Sequence, residues 1–236
     1  MLIAWEVSSM RKVYTGKTKD VYALENGNYC LQFKDTVTGS DGVFDPGANT
    51  VGLTIDGIGQ LNLAVSKMFF ELLTDQGIAT HYISSDLSTG QMEVVPTTFF
   101  GQGVEVICRY RAVGSFYRRY GKYIDEGAPL DAYVEVTLKD DDRNDPLITA
   151  EGLAALGIMD RERFEELVEL TRQITAVVAA KLESKGLELY DIKFEFGLSP
   201  RQELLLIDEI SSGNMRAYKD GSRVDPEELS RLLLAD

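Results

Sequence analysis

Apolar positions recur along this chain with two periods, and the points where the period changes mark its elements. Residues 10–14, 21–24 and 29–33 read as short strands. A glycine turn, Gly16-Lys17-Thr18-Lys19, separates the first two, and Glu25-Asn26-Gly27-Asn28 is a tight turn before the third. Residues 35–59 carry glycine at 39, 42, 47, 52, 57 and 59 with no regular period. They are expected to form a loop of high backbone freedom that orders over a ligand. From Gln60 the period lengthens. Leu61, Val65, Met68, Phe69, Leu72 and Leu73 fall on one helical face, and Gly77 is a C-terminal stop.

Residues 82–96 read as turn and strand. Across 104–111 the alternation sets Val106, Cys108 and Tyr110 on one side and Ile107, Arg109 and Arg111 on the other. Asp160 caps a long amphipathic helix through Phe164, Leu167, Ile174, Val178 and Leu182 that ends near Gly186. Residues 189–196 and 204–208 read as a hairpin, and Asp225-Pro226 open a last short helix. The order strands, helix, strands, helix, strands predicts an α+β protein with antiparallel sheets in two lobes, 1–95 and 96–236. The βαβ rhythm of a doubly wound fold is missing.

Composition removes whole classes of function. With 236 residues, 44% of them hydrophobic, and only 6 Pro, the chain can bury a core. Its 24 Lys and Arg against 38 Asp and Glu give a net charge of −14, the wrong sign for a duplex nucleic-acid binder. A small anionic substrate still fits if the basic residues gather in one cleft. No stretch approaches the ~20 uninterrupted apolar residues of a membrane span. Met1-Leu2-Ile3-Ala4-Trp5-Glu6 is too short and too early in charge for a secretory signal. Cys30 and Cys108 lie far apart in strand-like runs and read as reduced core thiols, so a cytoplasmic protein is expected. The one histidine, His81, excludes a Ser-His-Asp hydrolase and any multi-histidine metal centre; it reads as structural. Chemistry falls to Lys, Arg, Asp, Glu, Ser and the backbone.

Three segments carry candidate chemistry. The Gly16 turn with Lys17 and Lys19 can lay N–H groups and ammonium charge against a polyphosphate. It is not a Walker A loop, which needs a glycine where Arg11 stands, and taken alone it reads better as a hairpin with two solvated lysines. Arg109 and Arg111, followed by Gly114-Ser115 and Arg118-Arg119, are a local inversion of charge suited to a phosphate or carboxylate, a reading favoured over plain surface pairing with carboxylates. In Tyr190-Asp191-Ile192-Lys193-Phe194-Glu195-Phe196 the alternation puts Asp191, Lys193 and Glu195 on one face. The hairpin return brings Asp208 near Glu195, and two adjacent carboxylates call for a cation. With oxygen ligands only, Mg²⁺ held with nucleotide phosphates is the usual answer. A solvated face of alternating charges would explain Lys193 but not the apolar flanks of Asp208.

These segments, taken in order, resemble the SAICAR synthetase family from about residue 10 to 220. The resemblance is carried by Tyr14-Thr15-Gly16-Lys17-Thr18-Lys19-Asp20-Val21-Tyr22, by Glu105-Val106-Ile107-Cys108-Arg109-Tyr110-Arg111-Ala112-Val113-Gly114-Ser115 and by Leu138-Lys139. Asn144-Asp145-Pro146-Leu147, Asp191 through Gly197, and Asp208-Glu209-Ile210-Ser211 complete it. It implies an ATP-dependent ligase joining the carboxylate of CAIR (carboxyaminoimidazole ribonucleotide) to the amine of L-aspartate, with a nucleotide cleft between the lobes. By the same resemblance Gly16, Lys17, Lys19 and Lys139 bind ATP, and Glu195 and Asp208 hold Mg²⁺. Arg109, Ser115 and Arg216 clamp the ribonucleotide phosphate, and Asp191 and Lys193 lie beside the reacting carboxylate. The implied partners are small molecules, neither nucleic acid nor membrane, with a homo-oligomer left open. The chain departs from the family at Ser212-Gly213, where Pro-Asp is common, and at Ala217-Tyr218, where Leu-Trp is usual. Both departures, like the long segment 35–59, touch the substrate side. A paralogue or phosphotransferase acting on another small anionic acceptor is the alternative.

Overall fold

The computed structural model describes residues 10–40, 42–47 and 50–235, so Trp5 and the N-terminal run lie outside the described residues. Strands β1 (Arg11–Thr15), β2 (Lys19–Ala23) and β3 (Tyr29–Phe33) form a meander around the two expected turns. Segment 35–59 departs from expectation. Instead of an irregular loop, β4 (Thr36–Ser40), β5 (Val43–Phe44) and β6 (Val51–Thr54) build a small antiparallel sheet ordered β5-β4-β6. A Cβ on Gly52 would lie 2.6 Å from the Gly39 Cα, so these two glycines serve a close strand approach.

Helix α1 (Ile58–Asp75) buries Leu63, Val65, Phe69, Phe70 and Leu73. It ends where Gly77, at φ 74°, and Ile78 donate back to the Thr74 and Leu73 carbonyls. Strands β7 (Tyr82–Asp86) and β8 (Gln91–Val94) then return to the first sheet, whose order is β1-β2-β3-β8-β7.

The second half runs through β9 (Thr98–Phe99), β10 (Val104–Arg111), α2 (Gly114–Tyr120), β11 (Pro129–Leu138) and β12 (Leu147–Ile148). Helices α3 (Ala150–Ala155) and α4 (Arg161–Glu183) follow, then β13 (Glu188–Leu198) and β14 (Leu204–Ile207). Strands β15 (Met215–Lys219) and β16 (Ser222–Arg223) and helix α5 (Pro226–Leu234) close the chain. The strands form an eight-stranded sheet ordered β12-β11-β10-β13-β15-β16, with β14 and β9 both paired to β13.

Asp160 caps α4 through the Arg163 N–H, and Asp225 caps α5 with Pro226 in its first turn, as their positions in the sequence predict. Leu167, Ile174, Val178 and Leu182 of α4 pack on the second sheet. One hydrophobic core runs through both halves, joining Leu31 and Met92 to Phe194 and Leu206. Cys30 and Cys108 are buried and free, and burial pushes the Cys30 thiol up to about 11, which keeps it inert. Between the sheets, Thr80 forms a parallel bridge with Leu206. The class is α+β with antiparallel sheets, and no described helix is long and apolar enough to cross a membrane.

Candidate active site

The floor of the site is the pairing of β10 with β13. Glu105 stands opposite Glu195, Ile107 opposite Lys193, and Arg109 opposite Asp191. Alternation sends Val106, Cys108, Ile192, Phe194 and Phe196 into the core and leaves the charged set on the other face. On that face Lys193 Nζ reaches diagonally to Glu105, 2.8 Å away. Burial works to lower the Lys193 pKa, but Glu105 outweighs it and the ammonium is held above its ordinary value. Lys193 lines two adjoining cavities, one lysine-rich and one arginine-rich.

The lysine-rich cavity, about 210 Å³, collects Gly16, Lys17, Lys19, Lys139, Glu195 and Asp208. Gly16 donates to the Lys19 carbonyl at 2.8 Å, and a Cβ there would come within 2.7 Å of that oxygen. The turn therefore requires glycine. Its two lysines are not the solvated pair of a plain hairpin. Lys17 crosses the cleft to Asp141 at 2.8 Å, and buried Lys19 lies 2.6 Å from Glu209 and 3.2 Å from Asp208. Lys139 lies 2.7 Å from Glu195.

Glu195 and Asp208 respond oppositely to this setting. Burial, with the neighbouring Asp208 charge, pushes the Glu195 carboxyl up against the pull of Lys139. Burial also acts to raise Asp208, but Lys19 and Lys139 more than offset it and hold it below the usual carboxylate range. A third, more apolar cavity of about 450 Å³ shares Tyr14, Val21, Leu31 and the Lys139–Glu195–Asp208 group with the lysine-rich one. A flat ring could lie there with its phosphates over the lysines.

The donor set fits Mg²⁺. Among the described residues no group of three or more His, Cys, Asp or Glu is placed to hold a metal by itself. Glu195 and Asp208 can supply two oxygen ligands, and Mg²⁺ habitually takes the remainder from phosphates and water.

The arginine-rich cavity, about 560 Å³, is organised by Arg109, which is only 2% exposed. Its Nε and Nη2 donate to Glu135 Oε1 at 3.1 and 2.6 Å, and Nη2 also donates to Ser115 Oγ at 2.9 Å. Nη1 donates to the Val113 carbonyl and to Asp191 Oδ2. All five of its N–H groups thus have protein partners. Arg216 shares Asp191 Oδ2 at 2.7 Å and holds Asp45 at 2.6 Å. Asp191 Oδ1 is buried with no hydrogen bond among the described residues. Arg119 takes the second Glu135 oxygen at 2.6 Å.

The predicted Arg109, Ser115 and Arg216 therefore converge, and Asp191 sits among them. Arg111 does not join them: an irregularity in the ladder separates it from Arg109, and it pairs with Glu188 beneath Tyr190. Five acidic residues of the site have no role in the sequence reading: Asp45, Glu105, Glu135, Asp141 and Glu209. For Glu105 a signal existed, because it shares the strand face of Arg109; Asp45 reaches Arg216 across 171 positions and left none. His81 is buried, and burial holds its ring near 4. Of the departing residues, Gly213 lines the lysine-rich cavity, while Ser212 joins Asn62 and Ser230 in a buried hydrogen-bonded knot.

Fold and site together define an α+β protein with one cleft lined by lysines at one end and arginines at the other. The SAICAR synthetase family model matches residues 12–230, and the chain belongs to that family. A phosphoribosylaminoimidazole-succinocarboxamide synthase of Clostridium tetani is 57% identical over 226 residues, covering 95% of this chain and 100% of that protein. One from Aquifex aeolicus is 37% identical over 214 residues, covering 90% and 94%. A solved SAICAR synthetase in complex with ADP matches with a TM-score of 0.81 at 28% identity, over 95% of this chain and 92% of its own. The corresponding enzyme from Ehrlichia chaffeensis matches at 0.81 and 27%, over 92% and 90%.

Proposed function

We propose that this chain is an ATP-dependent ligase of de novo purine biosynthesis that joins the carboxylate of CAIR to the amine of L-aspartate, giving SAICAR, ADP and phosphate. The observation that carries the reading is the meeting of a lysine-rich and an arginine-rich cavity at Glu105, Lys193 and Asn214, with Asp191 on the arginine side. In it ATP lies with its base in the apolar cavity and its phosphates over Gly16, Lys17, Lys19 and Lys139. Mg²⁺, held by Glu195 and Asp208, supplies charge neutralisation on the transferring phosphoryl group. The CAIR phosphate is held by Arg109, Ser115 and Arg216, displacing part of the present pairing of the two arginines with Asp191 and Asp45, and its carboxylate then points toward Lys193 and Asp191. Lys193 offers an ammonium donor to that carboxylate. The γ-phosphoryl group passes to it, and the aspartate amine then attacks the acyl phosphate, expelling phosphate. Such a sequence asks for positioning and charge more than for a tuned base, which agrees with a site whose one histidine, His81, is buried and lines only the apolar cavity.

The division into lobes 1–95 and 96–236 draws support from the two sheets, which lie on either side of residue 96 in the chain. A cytoplasmic enzyme, with a homo-oligomeric state left to measurement, completes the reading. The test is ADP release with CAIR present, with and without L-aspartate. Release that requires both supports the ligase. Release with CAIR alone, or with another amine and not aspartate, would favour a SAICAR synthetase-like paralogue or phosphotransferase, the direction in which Gly213 and Tyr218 point.

A further inference from the structure

We propose that His81 is a positioning residue for the metal ligand Asp208, acting through a hydrogen bond from its ring Nε2–H to the Asp208 main-chain carbonyl. The inference rests on the reading of Asp208 as an Mg²⁺ ligand. The ring nitrogen lies 3.1 Å from that carbonyl oxygen. A carbonyl only accepts, so the nitrogen facing it carries the proton and the neutral ring is fixed as the Nε2–H tautomer.

Asp208 has reason to need support. It follows directly on β14 with φ at 67°, in the left-handed region that non-glycine residues seldom occupy, and that turn aims its carboxylate at Lys19 and Glu195. His81 is itself held on several sides. Its N–H donates to the Leu206 carbonyl at 3.0 Å, its carbonyl accepts from Val95 at 2.8 Å, and its ring meets Phe70 edge-on at 5.6 Å. The histidine thus links the connection between α1 and β7 to the residue that follows β14. It fixes where the backbone reverses, and so where the carboxylate stands. A ring of the same shape without a donor would let Asp208 relax to an ordinary conformation when no metal is bound. Metal binding would then have to restore the strained one.

The test uses the whole chain with Mn²⁺ and ADP as probes, counting free Mn²⁺ by electron paramagnetic resonance. His81→Phe is expected to weaken Mn²⁺ binding in the presence of ADP about ten-fold, the 1.4 kcal/mol of one buried hydrogen bond. CAIR binding should stay unchanged; His81 also lines the apolar cavity, so metal-free ADP binding is measured in the same variant and the Mn²⁺ loss is read relative to it. His81→Gln, whose amide can donate from the same place, is expected to recover most of the loss. Equal weakening of all ligands, or none, would overturn the proposal. Asp208→Asn separates the two readings: unchanged Mn²⁺ binding there removes the metal assignment and this inference with it, whereas loss there with none in His81→Phe removes this inference alone. Should His81→Phe fail to fold, the unaltered protein decides. Its single histidine gives one ¹⁵N imidazole spectrum, where the Nε2–H tautomer is expected and the Nδ1–H tautomer would overturn the proposal.

Discussion

Replacing Arg109 by alanine separates the ligase reading from a generic nucleotide-binding one, and its magnitude follows from the contacts. Glu135 and Asp191 are both buried, and each would lose an arginine. Removing one partner of a buried ion pair costs about 3–5 kcal/mol. Here each carboxylate keeps a second guanidinium: Arg119 stays on Glu135 at 2.6 Å and Arg216 on Asp191 at 2.7 Å. The cost therefore falls at the lower end, about 3 kcal/mol against a total stability of about 5–15 kcal/mol, and Arg109→Ala should fold. At about 2–4 °C per kcal/mol for a chain of this size, its Tm should drop by about 6–12 °C.

The ligand effects should divide sharply. Losing a charge-assisted hydrogen bond weakens a phosphate ligand by about ten- to a hundred-fold. Part of that loss comes through Arg216, which would be left to neutralise Asp191 alone. ATP affinity should barely change, because Lys17, Lys19 and Lys139 line the other cavity. Paired titrations of CAIR and of ATP, run well below the lowered Tm, make the comparison. Equal loss for both ligands would mean that Arg109 serves the fold or the nucleotide site, and the clamp would be refuted.

Two further outcomes are expected. Glu195→Gln should lower Mg²⁺·ATP-dependent turnover by orders of magnitude with the fold intact by circular dichroism, and near-normal activity at ordinary Mg²⁺ would remove the assignment. Gly16→Ala forces a Cβ to 2.7 Å from the Lys19 carbonyl oxygen, so the turn must open. ATP affinity should fall about ten-fold, equivalent to 1.4 kcal/mol, while CAIR binding holds; unchanged ATP affinity would show that the turn does not cradle phosphate.

Much of this protein is legible in its sequence, and the legible parts share a cause. The β1–β2–β3 meander, α1, α4 and the hairpin from β13 to β14 each rest on a local period closed by a local signal, such as Gly77 or Asp160. The neighbouring of Glu195 and Asp208 was readable for the same reason: a hairpin return is short-range geometry, and Glu195 pairs with Ile207, the residue before Asp208. The strands within segment 35–59 are not legible because glycine placed for a close strand approach and glycine placed for freedom look the same in sequence. Only the partner strand distinguishes them, as Gly39 does for Gly52.

The sequence by itself determined which side chains share a strand face, which residues turn or cap, and which family's motifs the chain carries. Tertiary structure decided which charges meet. Glu209 reaches Lys19 across 190 positions, Glu105 reaches Lys193 across 88, and Asp45 reaches Arg216 across 171. Those partners are set by the register of β10 against β13 and by the packing of two sheets on one core. Register and packing minimise the energy of the whole chain, and no short stretch of sequence records where a distant carboxylate will come to rest.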